Sequence, residues 1–228
     1  MTGAPGVGKG TFSKMLSKDF KIPEFSTGDE LRKIINSNET NNQDQEVLKI
    51  KKIVQEGKLV DDHTMLSLVK KRLQQNDTEK GIILDGYPRN LNQAKEFNKV
   101  SLVLDIFLAD DILVPKMLGR RLCPCCGNNY NIFSMKENGY DMDPLFPKKS
   151  QNKCDDCNIE LVQRADDKES IIRDRLEVYK KHTLPLTEFY EKQNILIRFE
   201  PKKGKKDYPL LKKIVEDFLE TKHKNKNI

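Results

Sequence analysis

Gly3-Ala4-Pro5-Gly6-Val7-Gly8-Lys9-Gly10-Thr11 decides how this chain is read. Glycines leave the backbone N–H groups of a loop uncovered, and some positions of a tight loop need φ above zero. A helix opening on such a loop aims its first unpaired N–H groups at the same point, so the segment can cradle phosphate oxygens. Lys9 adds a mobile ammonium for the outer phosphates. Gly10 stands where Ser or Thr often follows the lysine, with Thr11 one place later. The bland alternative is a glycine-rich surface turn, which glycines and a lysine alone leave open. A phosphate loop normally leaves the end of a buried strand, yet only Met1 and Thr2 precede Gly3. The expectation is therefore that a strand of about 5–6 residues belongs upstream and that the sequence is shortened at this end.

Outward from the loop, short apolar runs at residues 23–26, 82–85, 102–108 and 195–199 are bounded by polar or turn residues and read as buried strands. Between them, apolar residues recur at helical spacing: Leu31 with Ile34 and Ile35, Met65 with Leu68, Val69 and Arg72, and Leu210 with Ile214 and Phe218. The alternation predicts an α/β fold, a phosphate-loop parallel sheet flanked by helices. At 228 residues the chain suffices for one core with inserted lobes. Residues 123–166 break the pattern, holding all five cysteines with Gly139, Pro144 and Pro147, and read as an insertion. The Asn-rich residues 36–44 read as a loop, and the Lys-rich residues 202–206 and 222–226 as solvated surface.

Charge narrows the partners. With 41 basic and 35 acidic side chains the net charge is +6, which favours anions without choosing among nucleotide, nucleic acid and membrane. No apolar run nears the roughly 20 residues of a bilayer helix, and the lysine clusters lack interleaved aromatics for stacking bases. Neither membrane nor nucleic acid is expected. Five cysteines without a leader pattern argue against a secreted disulfide scaffold and for an intracellular protein, cytoplasmic or alternatively mitochondrial, with a metal site.

Two further motifs follow the loop. In Ser26-Thr27-Gly28-Asp29-Glu30-Leu31-Arg32, Thr27 and Glu30 have capping-box spacing, while Arg32 in a first helical turn opposes the helix dipole and calls for an anion. The strand ending at Asp85 runs into Gly86-Tyr87-Pro88-Arg89, with Gln93 four residues on. An aspartate at a buried strand end beside a phosphate loop is placed to orient Mg²⁺ through water. Cys123-Pro124-Cys125-Cys126-Gly127 and Cys154-Asp155-Asp156-Cys157-Asn158 form two C-x2-C knuckles, each followed by a residue tolerant of the left-handed conformation. Cys123, Cys126, Cys154 and Cys157 thus read as a closed, structural Zn²⁺ site, with Cys125 spare.

Taken in order, these motifs resemble the adenylate kinases, the long-lid branch of the nucleoside monophosphate kinases, from Gly3 to about Phe199. The resemblance implies Mg²⁺-dependent transfer of the γ-phosphoryl group of ATP to AMP, giving two ADP. It implies a monomer whose core, residues 1–228, carries an AMP-binding lobe at 26–60 and a zinc-bearing lid at 119–167. By matching position, Gly6, Val7, Gly8, Lys9, Gly10 and Thr11 hold the donor phosphates, and Lys116, Arg120, Asn129 and Tyr130 also serve the donor. Thr27, Arg32, Gly57, Lys58, Leu59, Val60, Gly86, Arg89 and Gln93 hold AMP, with Gln93 and Thr27 near its base. Lys9, Arg89, Arg120, Arg164 and Arg175 gather at the transferring group, Arg164 and Arg175 also meeting AMP. Arginine suits this because its planar fork bonds oxygens in pairs and stays charged.

Two departures bear on the donor. Lys116 stands where relatives place an arginine against the base, and Tyr130-Asn131 is similar to GTP-using members, so GTP is the alternative donor. The segment 127–153 is also longer than the usual lid. Two other classes explain less. A zinc-ribbon nucleic-acid module accounts for the knuckles and charge but not for the loop or arginines. A regulatory GTPase needs N-K-x-D, whereas Asn98-Lys99 is followed by Val100-Ser101.

Overall fold

The structure is a computed structural model that describes residues 1–36 and 45–226. Most of the Asn-rich segment and the side chains of residues 223–226 lie outside the described residues, and so do the expectations placed on them. In chain order, helix α1 (Lys9–Phe20) leads to strand β1 (Glu24–Ser26), then helices α2 (Thr27–Asn36), α3 (Gln45–Gln55) and α4 (Asp62–Leu73). Strand β2 (Ile83–Asp85), helix α5 (Leu91–Glu96), strand β3 (Val103–Ile106) and helix α6 (Asp110–Leu118) follow. Strands β4 (Arg120–Leu122) and β5 (Asn129–Asn131) lie in the cysteine-bearing insertion. Helices α7 (Glu169–Val178) and α8 (Leu186–Glu191), strand β6 (Leu196–Phe199) and helix α9 (Tyr208–Lys226) complete the fold.

The central sheet is parallel, as the isolated apolar runs predict. β1 pairs with β2, and β3 with β6. What joins the two pairs is the short segment ahead of the phosphate loop. Met1 N donates to Leu84 O (2.6 Å) and Gly86 N to Met1 O (3.3 Å), while Thr2 N donates to Leu104 O (2.8 Å) and Ile106 N to Thr2 O (3.1 Å). Two residues thus hold the central-strand position between β2 and β3, the place the sequence appeared to leave empty. They aim the loop straight out of the sheet at the ends of β2 and β3.

Two apolar clusters anchor the elements around the cleft. Val7, Phe12, Ile106, Met117, Ile172 and Leu211 pack α1, α6, α7 and α9 around the sheet. Phe25, Leu31, Val60, Met65, Val69 and Tyr87 form a second cluster beneath α2 and α4. Each fully buried side chain of this size contributes about 1.5–3 kcal/mol. One predicted stripe is corrected. On α9 Leu210 is exposed and Leu211 and Val215 are buried, because the helix meets the core along Tyr208, Leu211 and Val215, one residue out of register with the expected face. Among the described residues no helix is long and apolar enough to cross a membrane.

The antiparallel pair β4–β5 opens the insertion. Beyond it, residues 131–145 form an irregular hairpin in which Asn131 and Leu145 exchange both backbone bonds (3.0 and 2.7 Å), as do Met135 and Met142 (3.0 and 2.8 Å). Its tip reaches the core. Asp141 N donates to Lys202 O (2.9 Å), Tyr140 Oη to Glu200 Oε1 (2.5 Å), and Lys206 pairs with Asp143. Tyr140 and Met142 are buried in the main cluster at this junction.

Candidate active site

A cleft of about 620 Å³ runs from the phosphate loop to α4 and is walled by nearly every predicted site residue. Gly8 takes φ 108° at the start of α1, so the chain turns from loop into helix with its first N–H groups aimed at one point. Gly6 is held tighter still, since a Cβ there would lie 2.5 Å from Met117 Cγ on α6. Lys9 Nζ donates to Gly3 O (2.8 Å) and Ala4 O (3.0 Å), folding across its own loop. Burial pushes its ammonium down to about 8, partly offset by the Asp85 carboxylate.

Asp85, at the end of β2, is buried, and its Oδ1 has no hydrogen-bond partner among the described residues. An orphaned carboxylate oxygen beside a phosphate loop fits a water-mediated hold on a hard cation such as Mg²⁺.

Opposite the loop, guanidiniums crowd together and are held by carboxylates. Arg120 forks onto Asp167, with Nε to Oδ2 at 2.8 Å and Nη2 to Oδ1. Arg175 Nη1 meets Asp166 Oδ2 at 2.7 Å, and Arg164 Nη2 lies 3.5 Å from Asp29 Oδ1. Arg89 Nε donates to Gly86 O at 2.8 Å, from the turn after the cis Tyr87–Pro88 bond. Burial, then the neighbouring Arg120, push Arg164 down to about 9, and burial pushes Arg175 down to about 10. A set of cations this costly to desolvate is stabilised by phosphate oxygens, which accept from paired N–H groups and cancel the repulsion.

The end of the cleft beside α2 and α4 is lined by Leu31, Val54, Leu59, Val60 and Met65, with Gly57, Lys58 and Gln93. Gly57 takes φ +71°, and a Cβ there would lie 2.6 Å from Arg175 Cγ. Two expectations on α2 are corrected. Thr27 is not a cap: Ser26 Oγ accepts from Asp29 N (3.3 Å), while the buried Thr27 Oγ1 donates to the Asp85 and Gly86 carbonyls (3.2 and 3.1 Å). Spent on those carbonyls, Thr27 lies behind the wall, and Ser26 and Gly28 line the cleft instead. Arg32 lies in the second turn of α2, and its nearest anion is Asp29, at 2.7 Å.

At the α6 end of the cleft, burial pushes the Lys116 ammonium down to about 8, and it donates a long hydrogen bond, 3.4 Å, to Val7 O. Arg120, Asn129 and Tyr130 share this wall. The Tyr130 hydroxyl, however, turns toward the thiols, accepting from Asp155 N (3.1 Å) and lying 3.6 Å from Cys154 Sγ. Residues that sequence reasoning missed complete the wall: Met142, Asp143, Pro144 and Leu145 from the hairpin and Lys203, Gly204, Lys205 and Lys206 from the core. No local signal marks them, because they meet only through contacts about sixty residues apart.

The Sγ atoms of Cys123, Cys126, Cys154 and Cys157 all lie within 4.8 Å of one another. Two copies of one turn hold them. Cys123 N bonds Asn128 O and Gly127 N bonds Cys123 O (2.9 and 3.0 Å); Cys154 N bonds Ile159 O and Asn158 N bonds Cys154 O at the same distances. Gly127 and Asn158 both take the left-handed conformation expected of them. The Cys157 N–H, the largest influence, holds the Cys154 thiol down at about 6. Four such sulfurs suit a tetrahedral, thiophilic ion, and the exposed Cys125 stands outside the quartet.

A glycine-rich loop facing clustered guanidiniums across one cleft is how P-loop phosphotransferases neutralise a phosphoryl group in transit. The adenylate kinase family profile matches residues 1–195. The chain is 41% identical over 202 residues to an adenylate kinase of Thermodesulfovibrio yellowstonii, covering 85% of this chain and 86% of that one. It is 38% identical over 210 residues to an adenylate kinase of Clostridium kluyveri, covering 88% of each. A third, from Archaeoglobus fulgidus, is 39% identical over 226 residues, covering 96% and 95%. The chain belongs to the adenylate kinase family and is a nucleoside monophosphate kinase.

Proposed function

We propose that this chain transfers the γ-phosphoryl group of ATP to AMP with the residue roles the cleft suggests. The single observation that carries the assignment is the opposition, within one cleft, of the phosphate loop and Arg89, Arg120, Arg164 and Arg175. The loop from Gly6 to Thr11 and Lys9 hold the donor phosphates. Arg32, Arg89, Arg164 and Arg175 hold the AMP phosphate, and Gln93 meets its base. Asp85 would hold Mg²⁺ beside the loop, and the ion would supply charge neutralisation at the donor phosphates. No general base is needed, because the attacking atom is an AMP phosphate oxygen already ionised. The protein's task is to align donor and acceptor, shield the equatorial oxygens and exclude water. Residues 26–60 and 119–167 are the lobes that close to do so.

Zn²⁺ on the four cysteines serves structure alone, since four thiolates leave no open position, and it gives the insertion a core it otherwise lacks. A second donor, GTP, is favoured by one observation: the partly buried Lys116 ammonium faces the cleft with only a long bond to Val7 O (3.4 Å) among the described residues, and can donate to a base carbonyl. A matrix of ATP and GTP against AMP, CMP, UMP and GMP tests the assignment. The expected result is AMP as the preferred acceptor; absence of transfer to AMP from either donor overturns it. Metal analysis of the purified chain is expected to find about one zinc per chain.

A further inference from the structure

We propose that Asp62 is a positioning residue that fixes which way round the Gln93 amide meets the acceptor base, and so makes the site prefer a 6-aminopurine monophosphate to a 6-oxopurine one. The inference rests on the proposed seat of the acceptor base beside Gln93.

Gln93 lies on α5, lines the cleft and is only 2% exposed. Both ends of its amide already have a partner that can play one part only. Its Oε1 accepts from Arg89 N at 2.8 Å, and a backbone N–H can only donate. Its Nε2 donates to Asp62 Oδ1 at 2.8 Å, and a carboxylate can only accept. The amide's oxygen and nitrogen are therefore assigned by chemistry, where outline alone would leave them interchangeable. Asp62 is itself steadied. The same Oδ1 accepts from Asn90 Nδ2 at 2.7 Å, and Asn90 Oδ1 caps α5 by accepting from Gln93 N at 2.8 Å.

A primary amide has two N–H groups and two acceptor lone pairs. With one of each spent, one donor and one acceptor remain for the cleft, in a fixed order. A 6-aminopurine presents an acceptor at N1 beside a donor at N6, the complement of an amide. A 6-oxopurine presents the reverse, a donor at N1 and an acceptor at O6, and needs the amide turned over. Turning it would press Oε1 against the Asp62 carboxylate and Nε2 against the Arg89 N–H, replacing two hydrogen bonds by two repulsions. The discrimination thus resides in Asp62 and the Arg89 backbone as much as in Gln93.

The test is steady-state kinetics of the full, metal-replete chain with AMP and IMP as acceptors, IMP being the 6-oxo counterpart without an added 2-amino group. Asp62→Ala is expected to shrink the AMP-to-IMP ratio of kcat/KM by about tenfold or more, chiefly through KM for the acceptor, with KM for ATP unchanged. Asp62→Asn, whose carbonyl can still accept from Gln93 and Asn90, is expected to recover most of the ratio. Folding should survive, because Asp61, not Asp62, caps α4 through Thr64 N at 2.9 Å. Asp62→Ala with the wild-type ratio, whether or not its melting temperature falls, overturns the proposal while leaving Gln93 at the base. Gln93→Leu with an unchanged KM for AMP overturns the base seat, and this inference with it.

Discussion

The two ends of the cleft are built by opposite means. At the acceptor end the polar groups are paired within the protein: Gln93 is bonded on both sides of its amide and Arg32 to Asp29, against a wall that includes the buried Val60 and Met65. At the donor end the wall is assembled from α6, the hairpin at residues 131–145 and residues 203–206. The hairpin is clasped to the core by the buried Tyr140 and Met142 and by polar pairs such as Lys206–Asp143, whose side chains are 56% and 42% exposed. Exposed pairs contribute about 0–1 kcal/mol, whereas a satisfied buried group costs more to disturb. The proposed acceptor end is braced by internal pairing, and the proposed donor end is held by a clasp of weaker contacts.

The sharpest way to probe that division is Lys9→Met. It should lower kcat by about 100- to 1000-fold while calorimetric AMP affinity stays close to wild type; an equal loss of AMP affinity would mean the two ends are not separable. Next in size, Cys154→Ser should destabilise the insertion by about 4 kcal/mol, read as a lower melting temperature and a raised KM for the donor, with AMP affinity retained. Raising pH should also divide the ends. Lys9 and Lys116 lose their protons near 8 in the fold, so kcat/KM for the donor should fall about tenfold per unit above it. Stability should move the other way between about 8 and the ordinary lysine value of 10.5, because there the unfolded chain binds more protons. A donor profile flat to pH 10 would break this account. Met142→Ala should loosen the clasp by about 2–4 kcal/mol, seen as a weaker donor KM and faster hydrogen exchange at residues 131–145. Asp143→Asn should shift donor KM by only a few-fold or less, and a larger effect would mean the clasp is chiefly electrostatic.

Much of this arrangement was legible in the sequence because the chemistry is local. The phosphate loop, the Asp85 turn and the knuckles are each read from a few adjacent residues, and the strands from apolar runs bounded by polar ones. What escaped depends on partners distant in the chain. Met1 and Thr2 are too short to look like a strand, and only their bonds to residues 84, 86, 104 and 106 make them one. Arg32 looked unpaired because helical spacing does not reveal that Asp29 turns back to it. Asp62 carries no signal in the sequence, since its bond to Gln93 spans 31 residues. The hairpin has no period because its partners are backbone groups of its own return strand and groups of residues 200–206, about sixty residues on.

The twin turns at Cys123 and Cys154 give the hairpin between them an unusual freedom. An ion tying both turns would make residues 128 to 153 a closed loop, and the entropy of closing a loop grows only with the logarithm of its length, about 0.6 kcal/mol per doubling. Extra residues can therefore be let out between the knots almost without penalty to the knots themselves. Such a metal would be a mooring and the hairpin a slack line, long enough for Tyr140 and Met142 to reach across and berth on the far bank of the cleft.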